Sequence, residues 1–559
     1  MPYLLVTENC SWNFELGNLG KSRAGINKRT AYIYLMQEIA LWLNLLMPRG
    51  ISYFRSNLNF FWLGVVTEFS FTSGAAINRF ITESSHGVKK SPNSCSGIGT
   101  LSAVLESMKF LLVASLRYSR AKRKTLHLDN SDKTKDVLNL MVVDYTAHTL
   151  KQSKSDSCFC SGYWGPLSDA LDGGSKSTTY LHIHYPAAEF KNLVETRLRL
   201  GKWNFNSQNC LHLLLQDFFT WRVSWQTFCD YSRIFFFVLF SNFALASRSD
   251  FRPFFRRIQS NWHTSLVGAG ALQTLFLANL FEKALSSVPY QSIGLYLQEG
   301  QPWEFAFIAA WRRVGHGKLI GVPHSTVRYW DLRYARDSRV YRRDGPDAMP
   351  RPDFVAVNGP AAKRQFLSDG YPENELVEVE ALRYLHLLEQ DEKGVLQGMS
   401  QPARMLLLGE YELESTIRLM DAIKHGKTTG LFDIEVRIRP HPAAPKNPDF
   451  QKFGVEISEA SSLKEDVRAA DVVVAMTTTS AVLDAYCLGI PVIVLEDPNC
   501  LNGSPLLGRE DVPFVRTPEE LAAAIDAILA DPPPRVFRGH QFFYLDEGLP
   551  RWGALLGLP

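Results

Sequence analysis

The chain has 559 residues, 46% of them apolar and 21% charged, with 60 Lys and Arg against 57 Asp and Glu. That length exceeds what one hydrophobic core serves and predicts at least two domains, while the composition excludes disordered and collagen-like classes. A formal charge of +3 with no basic stripe interleaved with aromatics argues against a nucleic-acid binder.

Eight cysteines stand at 10, 95, 158, 160, 210, 229, 487 and 500, with no CxxC pair and no matching histidine spacing. Neither a zinc site nor a disulfide framework is expected, and a reducing compartment fits. The opening "MPYLLVTENCSW" lacks the basic start and sustained apolar core of a signal peptide. No transmembrane helix is expected, because the longest greasy run, Ile234 to Ala246, is broken by Ser241 and Asn242 and falls short of the roughly 20 residues that span a bilayer.

In chain order, residues 1 to 135 offer apolar patches at Ala31 to Met47 and Phe60 to Val66 and no chemical motif. From Val137 the pattern turns to strands alternating with helices. "VLNLMVVDY" and "TTYLHIHY" read as β-rich runs, and His182 and His184 share one strand face as ordinary strand residues, since no third metal ligand is near. The run "RIFFFVLFSNFALASRSDFRPFFRR" mixes apolar residues with Arg233, Arg248, Arg252, Arg256 and Arg257. It fits a buried helix followed by a solvated basic turn; resting on an anionic membrane surface is the other reading.

Ile293 to Leu297 reads as a buried strand, followed by a helix with Trp303, Phe307 and Trp311 on one face, and then a strand at Lys318 to Val322. This is a βαβ unit, and its strand ends hold Glu299 and His324. After a polar linker at 387–403 come strands at Met405 to Leu408, Ile434 to Ile438, Val472 to Ala475 and Val492 to Leu495. Helices are expected at Leu413 to Ile423, Ser462 to Ala469, Ser480 to Leu488 and Pro518 to Leu529. The expected architecture is α/β, with two Rossmann-like domains, 1–386 and 404–559, facing a cleft that is the natural active site.

Three stretches could carry chemistry. "MTTTS" ends the strand Val472 to Ala475 and opens a helix, so backbone N–H groups and the hydroxyls of Thr477, Thr478, Thr479 and Ser480 could hold a phosphate; simple N-capping needs only one of them. "RIRPHP" ends the strand before it, which would put Arg439 and His441 beside that phosphate, with Pro440 and Pro442 restricting how the imidazole projects. Glu299 at a strand end can act as a base, with Glu304 as a competitor.

With "QEG" at Gln298 to Gly300, "HP" at His441-Pro442 and "TTTS" at Thr477 to Ser480, the chain resembles bacterial GT-B glycosyltransferases that use CMP-activated sugars, the sialyl-, polysialyl- and Kdo transferases. The stretches "YWGPLSDAL", "EGQPWE", "GVPHSTVRYWDLRY" and "VEALRY" look more narrowly like surface carbohydrate biosynthesis proteins of bacterial polysaccharide clusters, over about residues 137 to 530. The resemblance implies a catalytic base at Glu299, leaving-group assistance by His441 of the HP motif, and phosphate binding by the hydroxyls of Thr478 to Ser480. The departure is Gln298, where that family carries a carboxylate. His324 and Arg328 have no assigned role there and are candidate substrate contacts. No resident cofactor is expected; the nucleotide sugar is a substrate, the partner is a glycan or lipid-linked glycan acceptor, and no DxD-type carboxylate pair calls for a metal. The expected location is cytoplasmic, with peripheral contact to the inner membrane. A nucleotide-sugar epimerase, a CDP-glycerol-type phosphotransferase and a non-catalytic scaffold of a polysaccharide assembly remain the alternatives.

Overall fold

A computed structural model of the protein describes residues 97–122, 139–148, 159–172, 177–247 (without 188, 189 and 208) and 268–558 (without 330, 332, 335–340, 342–349, 389–401, 412, 443–449, 461 and 498–501). The apolar patches before residue 97, Arg248, Arg252, Arg256 and Arg257, and most of the expected linker lie outside the described residues.

The first sheet is seven-stranded with the order β3-β2-β1-β4-β5-β6-β7. Its strands are β1 (Leu140–Tyr145), β2 (Thr178–Ile183), β3 (Cys210–Leu214), β4 (Ile293–Leu297), β5 (Lys318–Val322), β6 (Phe354–Val357) and β7 (Leu376–Glu378), and every pairing is parallel. The second sheet is six-stranded, β10-β9-β8-β11-β12-β13. It consists of β8 (Arg404–Leu408), β9 (Glu435–Arg439), β10 (Glu456–Ile457), β11 (Val472–Ala475), β12 (Val492–Leu495) and β13 (Phe514–Val515), again all parallel. The two repeat one pattern, with β8 in the place of β1 and β11 in the place of β4. Each is a doubly wound Rossmann-type sheet whose crevice opens where the strand order reverses, at β1/β4 and at β8/β11.

The central strands β1, β4, β8 and β11 are buried on both sides because helices cover both faces. Along β1, Met141 and Val143 enter one core while Leu140 and Val142 enter another. The first core lies under α1 (Gly97–Lys122), α4 (Trp221–Ser247), α5 (Ala269–Leu285) and α6 (Pro302–Val314). Beside β2 and β3 lie α2 (Gly165–Asp172) and α3 (Leu193–Asn206), the latter capped by the Asn192 side chain, which accepts from the N–H of Val194 and Glu195.

In the second domain, α8 (Leu413–Thr428) and α11 (Pro518–Ala530) cover the face carrying Val472 and Val474. The opposite face, with Leu406, Val473 and Ala475, shares one continuous core with Leu140, Val142 and Leu295 of the first sheet. The helix α9 (Leu463–Ala469) starts at Ser462, whose hydroxyl accepts from Glu465 N, and Thr517 caps α11 in the same way. None of the described helices is long and apolar enough to cross a membrane; the run from Ile234 belongs to α4, whose Tyr231 and Ile234 are buried in the first core.

The chain also makes a return crossing that the sequence reading did not anticipate. Tyr544 exchanges backbone hydrogen bonds with Asn358 and Ala381, the Tyr384 and Phe543 rings stack at 3.8 Å, and α12 (Pro550–Leu556) places the Trp552 indole against the Glu380 carbonyl at 3.0 Å. The last residues of the chain therefore pack against the first domain, close to α7 (Pro360–Ser368).

Candidate active site

At the carboxyl end of β4 the chain passes through Gln298 and Glu299 into Gly300, with φ of 74°. Gln298 continues the sheet through its N–H to the Val322 carbonyl at 2.9 Å, and its own carbonyl accepts from the Tyr334 hydroxyl at 2.8 Å. Glu304, three residues into α6, turns back on this bend. Its carboxylate accepts from the backbone N–H of Glu299, Gly300 and Gln301 at 2.9, 3.1 and 2.8 Å, a reciprocal helix-start brace. Glu304 is only 2% exposed, and burial pushes its carboxyl up to about 8 against the pull of those N–H groups. Of the two glutamates, it is Glu304 that shapes the bend.

Glu299 points elsewhere. Its Oε1 lies 3.4 Å from His324 Nε2, beyond the end of β5, and the His324 ring packs edge-on against Tyr163 at 4.4 Å. The structure thus brings together the two strand-end residues singled out from the sequence. Sequence reasoning missed their neighbours at the end of β1. Asp144, 3% exposed, accepts from Ser161 Oγ at 3.2 Å, and Tyr145 packs edge-on against Trp303 at 5.6 Å. Burial, reinforced by the charges of Glu304, Glu299 and Asp144, raises the Tyr145 phenol. The available signal was topological, since β1 and β4 flank the reversal point of this sheet.

In the second domain the sequence reading placed the strand ending in "RIRPHP" directly before that ending in "MTTTS". The sheet order separates them, because β8 lies between β9 and β11. The centre of the crevice is consequently Gly409-Glu410-Tyr411. Gly409 allows a close approach here, since a Cβ would lie a tight 3.1 Å from His441 N and from Pro440 Cα. His441 contacts the Tyr411 ring edge-on at 5.7 Å, and burial lowers its imidazole. Pro442 is exposed. Arg439 turns away from the threonine loop: its Nη1 donates to Asp466 Oδ2 at 2.6 Å and to the Ala460 carbonyl at 3.0 Å. The expectation that it stands beside a phosphate at that loop meets an ion pair with α9 instead.

On the other side of Gly409-Glu410 lies the threonine loop. The helix that follows, α10 (Val482–Cys487), is shorter than the expected span, with Ala481 at its N-cap and no hydroxyl capping it. Thr479 Oγ1 instead accepts from Ala481 N at 3.3 Å. The Thr478 and Thr479 N–H groups both donate to Glu410 Oε1 at 3.1 Å, and the Thr478 hydroxyl donates to Glu410 Oε2. Thr477 and Thr479 are buried, while Ser480 is half-buried.

Arg328 joins the two halves. Reaching from the segment after β5, its Nη1 donates to the Thr478 carbonyl and, at 3.3 Å, to the Gly503 carbonyl of the second domain. A second crossing links His386 Nε2 to Asp484 Oδ1 of α10 at 2.7 Å. The buried histidines His182 and His212, 3.0 Å apart, pack among Tyr180, Phe159 and Trp203, and His184 meets Thr196 of α3 at 3.2 Å. His182 and His212 are core residues of the first sheet, while His184 is half-buried just beyond β2, and among the described residues no group of three or more His, Cys, Asp or Glu side chains could hold a metal ion.

No protein-family model matches the chain, and a search of curated proteins finds no match. Solved structures do match. A UDP-GlcNAc 2-epimerase from Methanocaldococcus jannaschii aligns over 75% of this chain and 100% of its own, at 12% identity and a TM-score of 0.41. The S. aureus MnaA–UDP co-structure aligns over 76% and 98%, at 12% identity and a TM-score of 0.37. The calicheamicin glycosyltransferase CalG4 aligns over 71% and 91%, also at 12% identity and 0.37. Likeness at this level carries no argument about activity, and the architecture rests on the two sheets themselves.

Proposed function

We propose that the protein is a glycosyltransferase of bacterial surface polysaccharide synthesis that moves a sugar from a nucleotide donor, CMP-linked, to a glycan hydroxyl. The observation that carries this reading is the bridge that Arg328 makes between two strand-end crevices. One presents the Glu299–His324 pair, and the other presents His441 and the threonine loop beside Gly409, with Arg328 spanning between them. The resemblance of the "QEG", "HP" and "TTTS" stretches to those of CMP-sugar transferases is what supports CMP as the nucleotide.

In this reading the acceptor hydroxyl attacks the anomeric carbon while Glu299 takes its proton, and His324 orients that carboxylate. The bond from the anomeric carbon to the phosphate oxygen breaks, and its electron pair leaves with the nucleotide. Charge growing on the phosphate needs preorganised donors. His441 and the hydroxyls of Thr479 and Ser480 are the groups offered there, while Arg439, paired with Asp466, contributes to the shape of the strand end. Lipid-linked acceptors would bring the protein to the inner membrane surface.

Glu299→Gln tests the assignment of the base. Nucleotide binding should survive with transfer reduced by a factor on the order of 100 or more. Full transfer in a folded variant would remove Glu299 from the reaction. Product analysis separates transfer from epimerisation, because an epimerase converts the nucleotide sugar with no acceptor present.

A further inference from the structure

Glu410, at the end of β8, is a buried acid that the scheme above leaves unused. It is 1% exposed, and its own N–H is held by Thr416 Oγ1 at 2.9 Å. Its carboxylate receives both the Thr478 and Thr479 N–H groups and the Thr478 hydroxyl. From the opposite side Arg328 of the first domain takes the Thr478 carbonyl. Thr478 therefore has its N–H and hydroxyl engaged by one domain and its carbonyl by the other. Burial raises the Glu410 carboxyl, while the bonds from Thr478 and Thr479 and the charge of Arg328 pull the other way. A desolvated carboxylate is costly, and here each of its oxygens meets donors from the loop.

This arrangement changes the part that Thr478 can play. An anion placed on its N–H would have to displace, or sit against, a carboxylate already bound there. Thr479 differs: its Oγ accepts from Ala481 N, which leaves its O–H proton to donate, and Ser480 follows it on the less buried side of the loop. Glu410 grips the loop at Thr478 and Thr479 and fixes which hydroxyls are presented next to it.

We propose that Glu410 is a positioning residue: through Thr478 and Thr479 it sets the loop that receives the nucleotide's phosphate, and with Arg328 on the far side of Thr478 it ties that geometry to the apposition of the two domains. The proposal rests on the nucleotide-donor reading. It differs from a general stabilising role because it acts on the phosphate alone and leaves recognition of the base and ribose untouched.

The test titrates CMP and UDP, and the phosphate-free nucleosides cytidine and uridine, into wild type, Glu410→Gln and Thr478→Val, using calorimetry for nucleotides and saturation-transfer NMR at millimolar concentration for nucleosides. Glu410→Gln should weaken the preferred nucleotide about 10-fold, the scale of one charge-assisted hydrogen bond, while its nucleoside signal stays unchanged. Amide exchange at Thr478 and Thr479 should accelerate in that variant, with β11 still protected as the measure of intact folding. A variant that binds nucleotide like wild type, or that loses nucleotide and nucleoside equally, overturns the positioning role. Should Glu410→Gln fail to fold, Thr478→Val decides: selective weakening of the nucleotide supports the proposal, and unchanged binding overturns it. A wild type that binds no nucleotide overturns the donor reading and this proposal together, whereas an unaffected variant of a nucleotide-binding wild type overturns only the proposal.

Discussion

Glu299 and Glu304 lie five positions apart and do different work because of where α6 begins. Proline at 302 starts the helix and carries Glu304 back over the bend, where three backbone N–H groups claim it; Glu299, before the helix, is left facing His324. The burial of Glu304 has a sign that can be measured. Its folded value of about 8 lies above the ordinary 4.5, so between those values the folded protein holds a proton that the unfolded chain has released. Stability from this group is therefore lost as pH rises through that window. Thermal melting of Glu304→Gln across the window should show a flatter dependence on pH than wild type. An identical slope would mean that Glu304 does not titrate there.

Among the elements, the apolar strands were legible because a strand buried on both faces must be a continuous run of residues such as "VVVA" or "VIVL", and β4, β5, β11 and β12 keep the spans expected for them. The face of Trp303, Phe307 and Trp311 was legible for a similar reason, from helical spacing: Trp303 and Phe307 are buried against Phe281 and Tyr296, and Trp311 packs on Phe307. Trp311 is fully buried, and its indole N–H reaches the Gly317 carbonyl at 2.8 Å. Replacing it with Ala should cost about 3–5 kcal/mol in a denaturant titration, through the cavity and the lost hydrogen bond. A loss well below 1 kcal/mol would mean that α6 is not packed on β4 by this side chain. Short strands such as β7 and β10 gave no such signal, being too brief to show a pattern. Glu410 was missed because linear order made β9 and β11 look adjacent, and only the crossover puts the end of β8 between them. A carboxylate after "MLLLG" carries no mark of its own in the sequence.

At the scale of the molecule, two sheets of matching order share a core, and the chain's last residues return to the first domain. Sequence patterning could place each sheet, but not the return, since it depends on contacts between residues almost two hundred positions apart. Gly359 is where that contact is tightest: a Cβ there would lie 1.8 Å from the Phe542 carbonyl oxygen, which is backbone and cannot rotate away. Gly359→Ala should therefore destabilise the protein and speed amide exchange at Tyr544, which otherwise bonds Asn358. Wild-type exchange at Tyr544 in that variant would contradict the observed packing. The proposed function requires the cleft between these domains to take a nucleotide sugar by its phosphate beside His441. Calorimetric titration of CMP, CDP, UDP and GDP into wild type and His441→Ala tests it most directly. CMP should bind selectively and more weakly to the variant; binding of no nucleotide by the wild-type protein would contradict the proposed function.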